Sequence, residues 1–181
     1  MLLEHPHREF KDLSVVYRID LDAQEPGAFS AAVTHALLKV WDRTEDELFR
    51  QAWENMARES DYKLMPIEQM LYALVGQENF ADAWVEEEKT GLYVLTNREN
   101  SFGAIQLLND RALKEAAQLL GGDYWIFPSS VHELILAPVE IGRNRSELEE
   151  MVRDINRTQV EPDEVLSDSV YYYDAGSGIL C

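Results

Sequence analysis

Four neighbouring polar residues have side chains of the types that carry out hydrolysis. They are Ser129, Ser130, His132 and Glu133. A hydroxyl nucleophile, an imidazole that takes its proton and a carboxylate that orients the imidazole are the usual parts of a hydrolytic site. The sequence therefore offers Ser130, His132 and Glu133 as candidate catalytic residues of a hydrolase-type enzyme.

The spacing of these residues favours a structural interpretation instead. On an extended segment, side chains three positions apart, such as Ser129 and His132, point to opposite faces. A nucleophile elbow would also need glycines around the serine, between a strand and a helix, and none stands there. In the structural interpretation, segment 128–130 turns the chain, and its serine hydroxyls bond nearby backbone groups.

The other three histidines give weaker signals. His5 and His7 could place two imidazoles on one side of an extended strand, a spacing that metal ions accept, but two ligands do not close a site. A metal site involving these two residues is the third and weakest hypothesis. His35 lies between apolar residues and Trp41, so we expect a half-buried, hydrogen-bonded side chain.

Carboxylate pairs and glycines add no defined site. Asp20 and Asp22 share one face of a predicted strand and could do acid–base or metal chemistry, but no opposing carboxylate can be identified. The acidic run 86–88 is expected to be a solvated surface. The pair Gly121-Gly122 follows a helix, whereas a phosphate-binding loop precedes one. The sequence therefore predicts no cofactor and no bound metal.

The elements that position these residues alternate between short strands and amphipathic helices. Period-two alternation predicts the strands, while capping boxes followed by apolar residues at three- and four-residue spacing predict the helices. The predicted strands are 14–21, 29–35, 91–97, 102–108, 124–127, 134–137 and 170–173. The first predicted helices are a turn that ends at Trp41, a helix from Thr44 to about Arg58, and one from Pro66 that ends at Gly76. Two more are predicted, one from Asn109 or Asp110 to Gly121 and one after a capping box at Ser146–Glu149. Residues 77–89, with Trp84, are expected to form a loop.

This order of elements predicts a layered fold. Consecutive strands with short links favour antiparallel pairing, and helices gathered on a sheet face form a second layer. The predicted class is α+β, with a mainly antiparallel sheet of about six to seven strands and helices packed on it. A length of 181 residues fits one domain. Within it we expect a polar N-terminal arm over 1–13 and a mobile C-terminal tail over 175–181.

The chain is strongly acidic, with 34 acidic and 16 basic residues and a formal net charge of −18. A surface that binds nucleic acid needs clustered lysine and arginine, so nucleic acid is not an expected partner. Two interpretations of the acidity stay open. One is a solvated surface that aids solubility, and the other is a patch that binds a basic partner or imitates nucleic acid.

The cysteine content and the first residues predict a compartment. The one cysteine, Cys181, cannot form an internal disulfide, which suits a reducing environment. The first ten residues lack the basic and apolar regions of a signal peptide, and no apolar run approaches the roughly 18 residues of a membrane span. We therefore expect a cytoplasmic protein without membrane association.

The run Tyr171–Tyr173 places aromatic rings on both faces of the last predicted strand. One face is expected to pack on the core, and the other to cover a helix or to form an exposed adhesive surface. With the acid-rich composition and the incomplete catalytic set, this favours a non-enzymatic interaction or accessory protein, which contacts another protein through an aromatic or acidic surface. The alternative is the hydrolase using Ser130, His132 and Glu133. The oligomeric state is left open.

Segments along almost the whole chain combine into one pattern. They are Pro6-His7, Asp12–Tyr17, Trp41–Asn55, Gly91–Asn97, Phe102–Ala104, Leu113–Gly121, Phe127–Glu133, Met151–Gln159, Glu164–Asp168 and Tyr171–Asp174. This pattern resembles a bacterial family of unknown function, and the resemblance implies no activity because none is assigned to that family. Family members generally have a further region before the Pro-His segment, so we expect a truncated or short member.

Overall fold

A six-stranded antiparallel sheet is the centre of the second of two units into which the chain divides. The units are Met1–Asp61 and Tyr62–Cys181. The computed structural model describes residues 2–20, 30–58, 62–75, 90–128, 130–141 and 144–181. The predicted stop at Gly76 and the predicted loop over 77–89, with Trp84, lie outside these residues. The single-domain organisation stays a prediction.

The first unit contains two short antiparallel strand pairs and two α-helices among its described residues. They are β1 (His7–Phe10), β2 (Leu13–Val16), β3 (Arg18–Asp20), β4 (Ser30–Ala32), α1 (His35–Trp41) and α2 (Glu45–Arg58). β1 pairs with β2, and β3 pairs with β4. The predicted strand over 14–21 is therefore divided at Tyr17. This tyrosine is buried together with Val33 and Leu38 in the core of the unit.

Local capping starts helix α2 at the residue that the sequence predicts. Thr44 Oγ1 accepts the backbone N–H of Glu47 at 3.2 Å, and Glu47 Oε2 accepts the backbone N–H of Thr44 at 2.9 Å. This reciprocal pair satisfies two of the donors that the first turn of a helix leaves unpaired. The predicted capping box is therefore confirmed.

The sheet of the second unit has the strand order β10-β9-β7-β8-β6-β5. Its strands are β5 (Tyr62–Pro66), β6 (Tyr93–Asn97), β7 (Tyr124–Phe127), β8 (Leu134–Pro138), β9 (Tyr171–Asp174) and β10 (Ile179–Leu180). The α-helices described in this unit are α3 (Ile67–Val75), α4 (Asp110–Leu120) and α5 (Arg145–Gln159), with 3₁₀ helices at Gly103–Leu108 and Val139–Ile141. The α+β class with a mainly antiparallel sheet is confirmed.

Helices cover both faces of this sheet. On one face, the Tyr124 hydroxyl donates to the Leu113 carbonyl of α4 at 2.9 Å, and both residues are buried. Because side chains alternate along a strand, the neighbours of Tyr124 point to the opposite face. There, α5 supplies part of a second apolar cluster, which consists of Phe127, Ala137, Leu148, Val152 and Val170. The sheet therefore forms the middle of three layers.

Three helix boundaries test the capping signals of this unit. α4 begins after Asn109, whose side chain accepts two backbone N–H groups of the first turn, and ends at Gly121 with φ of 83°. Both boundaries were predicted. For α5, the capping box lies two residues earlier than predicted, because Asn144 and Glu147 form it. The predicted box at Ser146–Glu149 is therefore wrong.

The segment 102–108 is a second correction. It forms the 3₁₀ helix Gly103–Leu108 rather than a strand, so the predicted hairpin with 91–97 is wrong. β6 lies between β5 and β8 in the sheet, so neither of its edges is left for 102–108. β5, which was not among the predicted strands, occupies one of those edges.

The two chain ends take part in strand pairs. β1 lies within the expected N-terminal arm, and β10 lies within the expected C-terminal tail and pairs with β9. Cys181 also exchanges two backbone hydrogen bonds with Tyr172, of 2.7 and 3.0 Å. The arm over 1–13 and the mobility of 175–181 stay predictions.

Candidate functional site

The segment 130–133, here called the His132 corner, lies in the connection from β7 to β8, between the 3₁₀ helix Gly103–Leu108 and the loop 161–168. On one side, the Val131 carbonyl accepts the Ala104 N–H at 3.2 Å. On the other side, the Val131 N–H donates to the Glu164 carbonyl at 2.9 Å, and Ser130 forms an isolated β-bridge with Val165. The corner is therefore held by backbone hydrogen bonds to segments distant in sequence.

Both ring nitrogens of His132 have partners. The Phe102 backbone N–H donates to Nδ1 at 3.2 Å, and Nε2 lies 3.3 Å from Glu164 Oε1. A nitrogen that accepts an N–H carries no proton, so in the neutral ring the proton is on Nε2, facing the carboxylate. The Phe102 ring also lies against the imidazole, with 5.5 Å between the ring centroids. The imidazole thus connects loops 97–102 and 161–168.

Ser130 and Glu133 form a separate pair. Ser130 is 6% exposed, and its Oγ accepts the His132 backbone N–H at 3.0 Å. The Ser130 hydroxyl also bonds the Glu133 carboxylate. Burial raises the pKa of Glu133, the Ser130 hydrogen bond and the charge of His132 lower it, and the charge of Glu164 raises it. The Glu133 carboxylate thus lies half-buried beside a serine hydroxyl and a histidine, and burial outweighs both, so its pKa stays raised.

The three predicted catalytic residues are therefore close together, but Ser130 pairs with Glu133, and His132 pairs instead with a fourth residue, Glu164. Transfer of a serine proton to histidine needs a lone pair of the imidazole aimed at the hydroxyl. In the described part of the chain, the Nδ1 lone pair of His132 accepts the Phe102 N–H instead. The arrangement can orient loops, and it supports proton transfer from Ser130 to His132 poorly. Ser129 lies outside the described residues.

Gly103 shows how tightly the corner is packed. A Cβ atom at this position would lie 2.5 Å from the His132 carbonyl oxygen and closer still to Thr96 Oγ1. Thr96 is buried, and its hydroxyl donates to that same His132 carbonyl at 2.8 Å. Only glycine fits there, because real Cβ contacts are never so short.

Sequence reasoning missed Thr96, Phe102, Gly103 and Glu164 as parts of this site. One signal was available, because a glycine inside a predicted strand indicates a close approach of another backbone. The role of Glu164 had no signal of this kind, since its carboxylate meets His132 across 32 positions of sequence.

The remaining histidines have other partners. The His5 ring donates through Nδ1 to the Val33 carbonyl at 2.8 Å, and the His7 ring donates through Nδ1 to the His5 carbonyl at 3.0 Å. No group of three or more metal-binding side chains occurs among the described residues. His35 is exposed at the start of α1, so the half-buried position expected for it is wrong. Asp22 and the run 86–88 lie outside the described part of the chain.

The tyrosine run of β9 is mostly internal. Tyr171 and Tyr173 are 4% and 2% exposed and belong to the core, as one face of this strand was expected to do. Tyr172, on the other face, is half-buried; its hydroxyl donates to Asp123 and its ring packs edge-on against Trp125 at 5.0 Å. The tyrosines therefore leave little aromatic surface exposed.

Two open depressions in the described surface lie away from the corner. Their volumes are about 390 and 510 Å³, and both are lined by Lys114 and Gln118 of α4. Neither includes a residue of the His132 corner.

The fold and the site define an α+β protein in which a polar corner connects three loops of one sheet. The chain belongs to the family described as a family of unknown function (DUF5688), whose model matches residues 1–175. This confirms the resemblance to an uncharacterised family. No curated protein and no solved structure matches the chain. In addition, none of the described helices is long and apolar enough to cross a membrane.

Proposed function

We propose that this protein is a non-enzymatic interaction or accessory protein. The observation that supports this most is the engagement of both ring nitrogens of His132, by the Phe102 N–H and by Glu164. These bonds leave Ser130 without a histidine base among the described residues, and they hold an aromatic side chain at the surface. Phe102 is 40% exposed beside the imidazole.

The charge of the chain supports a protein partner over nucleic acid. A formal charge of −18 repels phosphates and attracts basic surfaces. A cytoplasmic location fits the one cysteine, which is exposed and free.

The test compares the wild-type chain with Ser130→Ala in hydrolysis of chromogenic carboxylic esters, phosphate esters and peptide anilides. We expect no turnover that depends on Ser130. Turnover by the wild type that falls at least a hundredfold in Ser130→Ala would overturn the proposal. Ser146→Ala, at an exposed position in α5, is the matched control for preparation-dependent activity.

A hydrolase remains the second candidate function, and one observation favours it. The Ser130 hydroxyl bonds Glu133, whose pKa is raised by burial, so this carboxylate rather than His132 could take the serine proton. In that case Glu133→Gln would abolish the same turnover as Ser130→Ala, while His132→Gln would retain part of it.

A further inference from the structure

We propose that the docking surface of this protein is the outer side of the 3₁₀ helix Gly103–Leu108 where it adjoins the His132 corner, and that its occupant is a basic segment of another protein. We call this surface the Phe102 surface; it consists of Phe102, Ile105 and the carboxylate of Glu164. The inference rests on the proposed function, because it names where and with what chemistry the interaction takes place.

The apolar part of the Phe102 surface follows from the geometry of the 3₁₀ helix. Ile105 lies on the outer side of the helix, and Phe102 stands at its N-terminal cap, where the Phe102 carbonyl accepts the Ile105 N–H at 3.5 Å. They are 40% and 36% exposed. The opposite side of the helix is buried, with Gly103, Ala104, Gln106 and Leu107 all turned inward.

The Phe102 ring is held in place before any partner arrives. Its backbone is in the left-handed region, with φ of 54° and ψ of 27°, and its N–H donates to His132 Nδ1. The ring centroid lies 5.5 Å from the imidazole centroid. A preorganised aromatic ring loses little side-chain entropy when it is covered, which favours its use as an anchor.

The charge beside this ring selects the partner. The segment 161–168 contains Glu161, Asp163, Glu164 and Asp168 and no lysine or arginine. Backbone bonds from Val131 and Ser130 place this segment against the His132 corner. An arginine or lysine that approaches Phe102 would therefore meet an aromatic ring and the Glu164 carboxylate together, and both attract cations. On the other side, the loop 97–102 contains the basic residue Arg98, and Lys63 donates to Asn100 of that loop at 3.1 Å, so the attraction of a cation comes from the segment 161–168.

The same charges argue against other occupants. A second copy of this chain carries −18 and would bring the same carboxylates against its own. Nucleic acid and anionic lipid are repelled for the same reason. Two exposed apolar side chains are also too small an area to hold a purely apolar partner, so charge complementarity has to contribute.

The test measures binding of a fluorescein-labelled ten-residue peptide of alternating arginine and leucine to the full chain by fluorescence anisotropy. We expect Phe102→Gly to weaken binding at least tenfold and Glu164→Gln at least threefold. Phe102→Gly removes the ring and relaxes the left-handed backbone, so its Tm should stay close to that of the wild type. The matched controls, Leu119→Ala and Glu150→Gln, replace exposed residues of α4 and α5 and should change Kd less than twofold.

The contrary results are distinct. Equal losses of peptide affinity in Glu164→Gln and Glu150→Gln, or no loss in Phe102→Gly, would show that binding depends only on the overall negative charge. Either result would overturn the Phe102 surface. Stronger binding of a labelled oligothymidylate than of the peptide would overturn the basic partner. No binding of the peptide to the wild type at millimolar concentration would also overturn the docking surface, while the Ser130→Ala assays decide the proposed function separately.

A second measurement does not depend on variants. In a ¹⁵N-labelled wild-type chain, the peptide should shift the amide signals of Phe102, Val131 and Glu164 more than those of the acidic first turn of α2, Glu45–Glu47. The reverse order of shifts would overturn the proposal.

Discussion

Two regions of the second unit contain a hydroxyl that bonds a carboxylate, and they use it in opposite ways. At the His132 corner, Ser130 bonds Glu133, and burial raises the pKa of that carboxyl. On β9, Tyr172 bonds Asp123, and this hydrogen bond, with that of the Ala175 N–H, lowers the pKa of Asp123. The difference lies in desolvation, which dominates only at the corner. A hydroxyl beside a carboxylate therefore does not by itself fix the direction of the carboxyl pKa shift, because burial of the carboxylate can reverse it.

The largest expected effect tests how closely the corner is packed. Gly103→Ala should lower the free energy of unfolding by about 3 kcal/mol, because its Cβ has no room beside the His132 carbonyl. Gly121→Ala is the control: its Cβ meets nothing within 4 Å, and only its φ of 83° is unfavourable, so the loss should be about 1 kcal/mol. Urea denaturation of both variants measures the difference. Equal losses would mean that the corner relaxes freely.

A smaller effect tests the hydrogen bond from the Thr96 hydroxyl to the His132 carbonyl. Thr96→Val should cost about 1 kcal/mol, because it leaves the buried His132 carbonyl without the 2.8 Å hydrogen bond from Thr96. Thr158→Val removes a similar hydroxyl-to-carbonyl bond of 2.8 Å from the exposed side of α5 and should cost less. Chemical denaturation again provides the measurement, and a larger loss in Thr158→Val would contradict the assigned importance of the corner.

The pH dependence of the two carboxylates should have opposite signs. Because the pKa of Glu133 is raised in the folded state, its contribution to stability is present below the ordinary value of 4.5 and is lost as pH rises through the folded pKa. Glu133→Gln should therefore gain stability relative to the wild type as pH rises from roughly 4 to roughly 7. Unfolding curves across that range give the trend, and a trend of opposite sign would show that Glu133 is charged and well paired.

For Asp123, the sign of the pH dependence is reversed. The lowered pKa of Asp123 contributes stability above its ordinary value of 3.8, and this is lost as pH falls through the folded pKa. Tyr172→Phe should raise the pKa of Asp123 toward 3.8 and weaken the acid dependence of stability. An NMR titration of the Asp123 carboxyl measures it. An unchanged pKa would assign the shift to the Ala175 N–H alone.

The clearest local signals were predictive, whereas the conformation of segment 102–108 depends on long-range contacts. The start of α2 at Thr44 and both ends of α4 depend on residues three or four positions apart, so the sequence predicts them directly. The 3₁₀ helix over 103–108 was predicted as a strand because its composition suits either. Its conformation depends on β5 and β8, which occupy both edges of β6.

The candidate site was likewise predictable only in part. Its residue types, Ser130, His132 and Glu133, were visible in the sequence, but their pairing was not. His132 bonds Phe102 and Glu164, which are 30 and 32 positions away. The aromatic surface suggested by the sequence also differs from the one in the structure. The Tyr171–Tyr173 run is mostly internal, and Phe102 is more exposed than these tyrosines.

The sequence by itself determined the acidity of this chain, its family, its α+β class and the helix ends that adjacent residues specify. The tertiary structure decided which side chains meet at the His132 corner and which aromatic rings stay exposed. The physical reason is the separation in sequence between the residues that interact. Caps and alternation act within one turn or one strand, whereas burial and the partners of a polar group depend on which distant segments pack beside it.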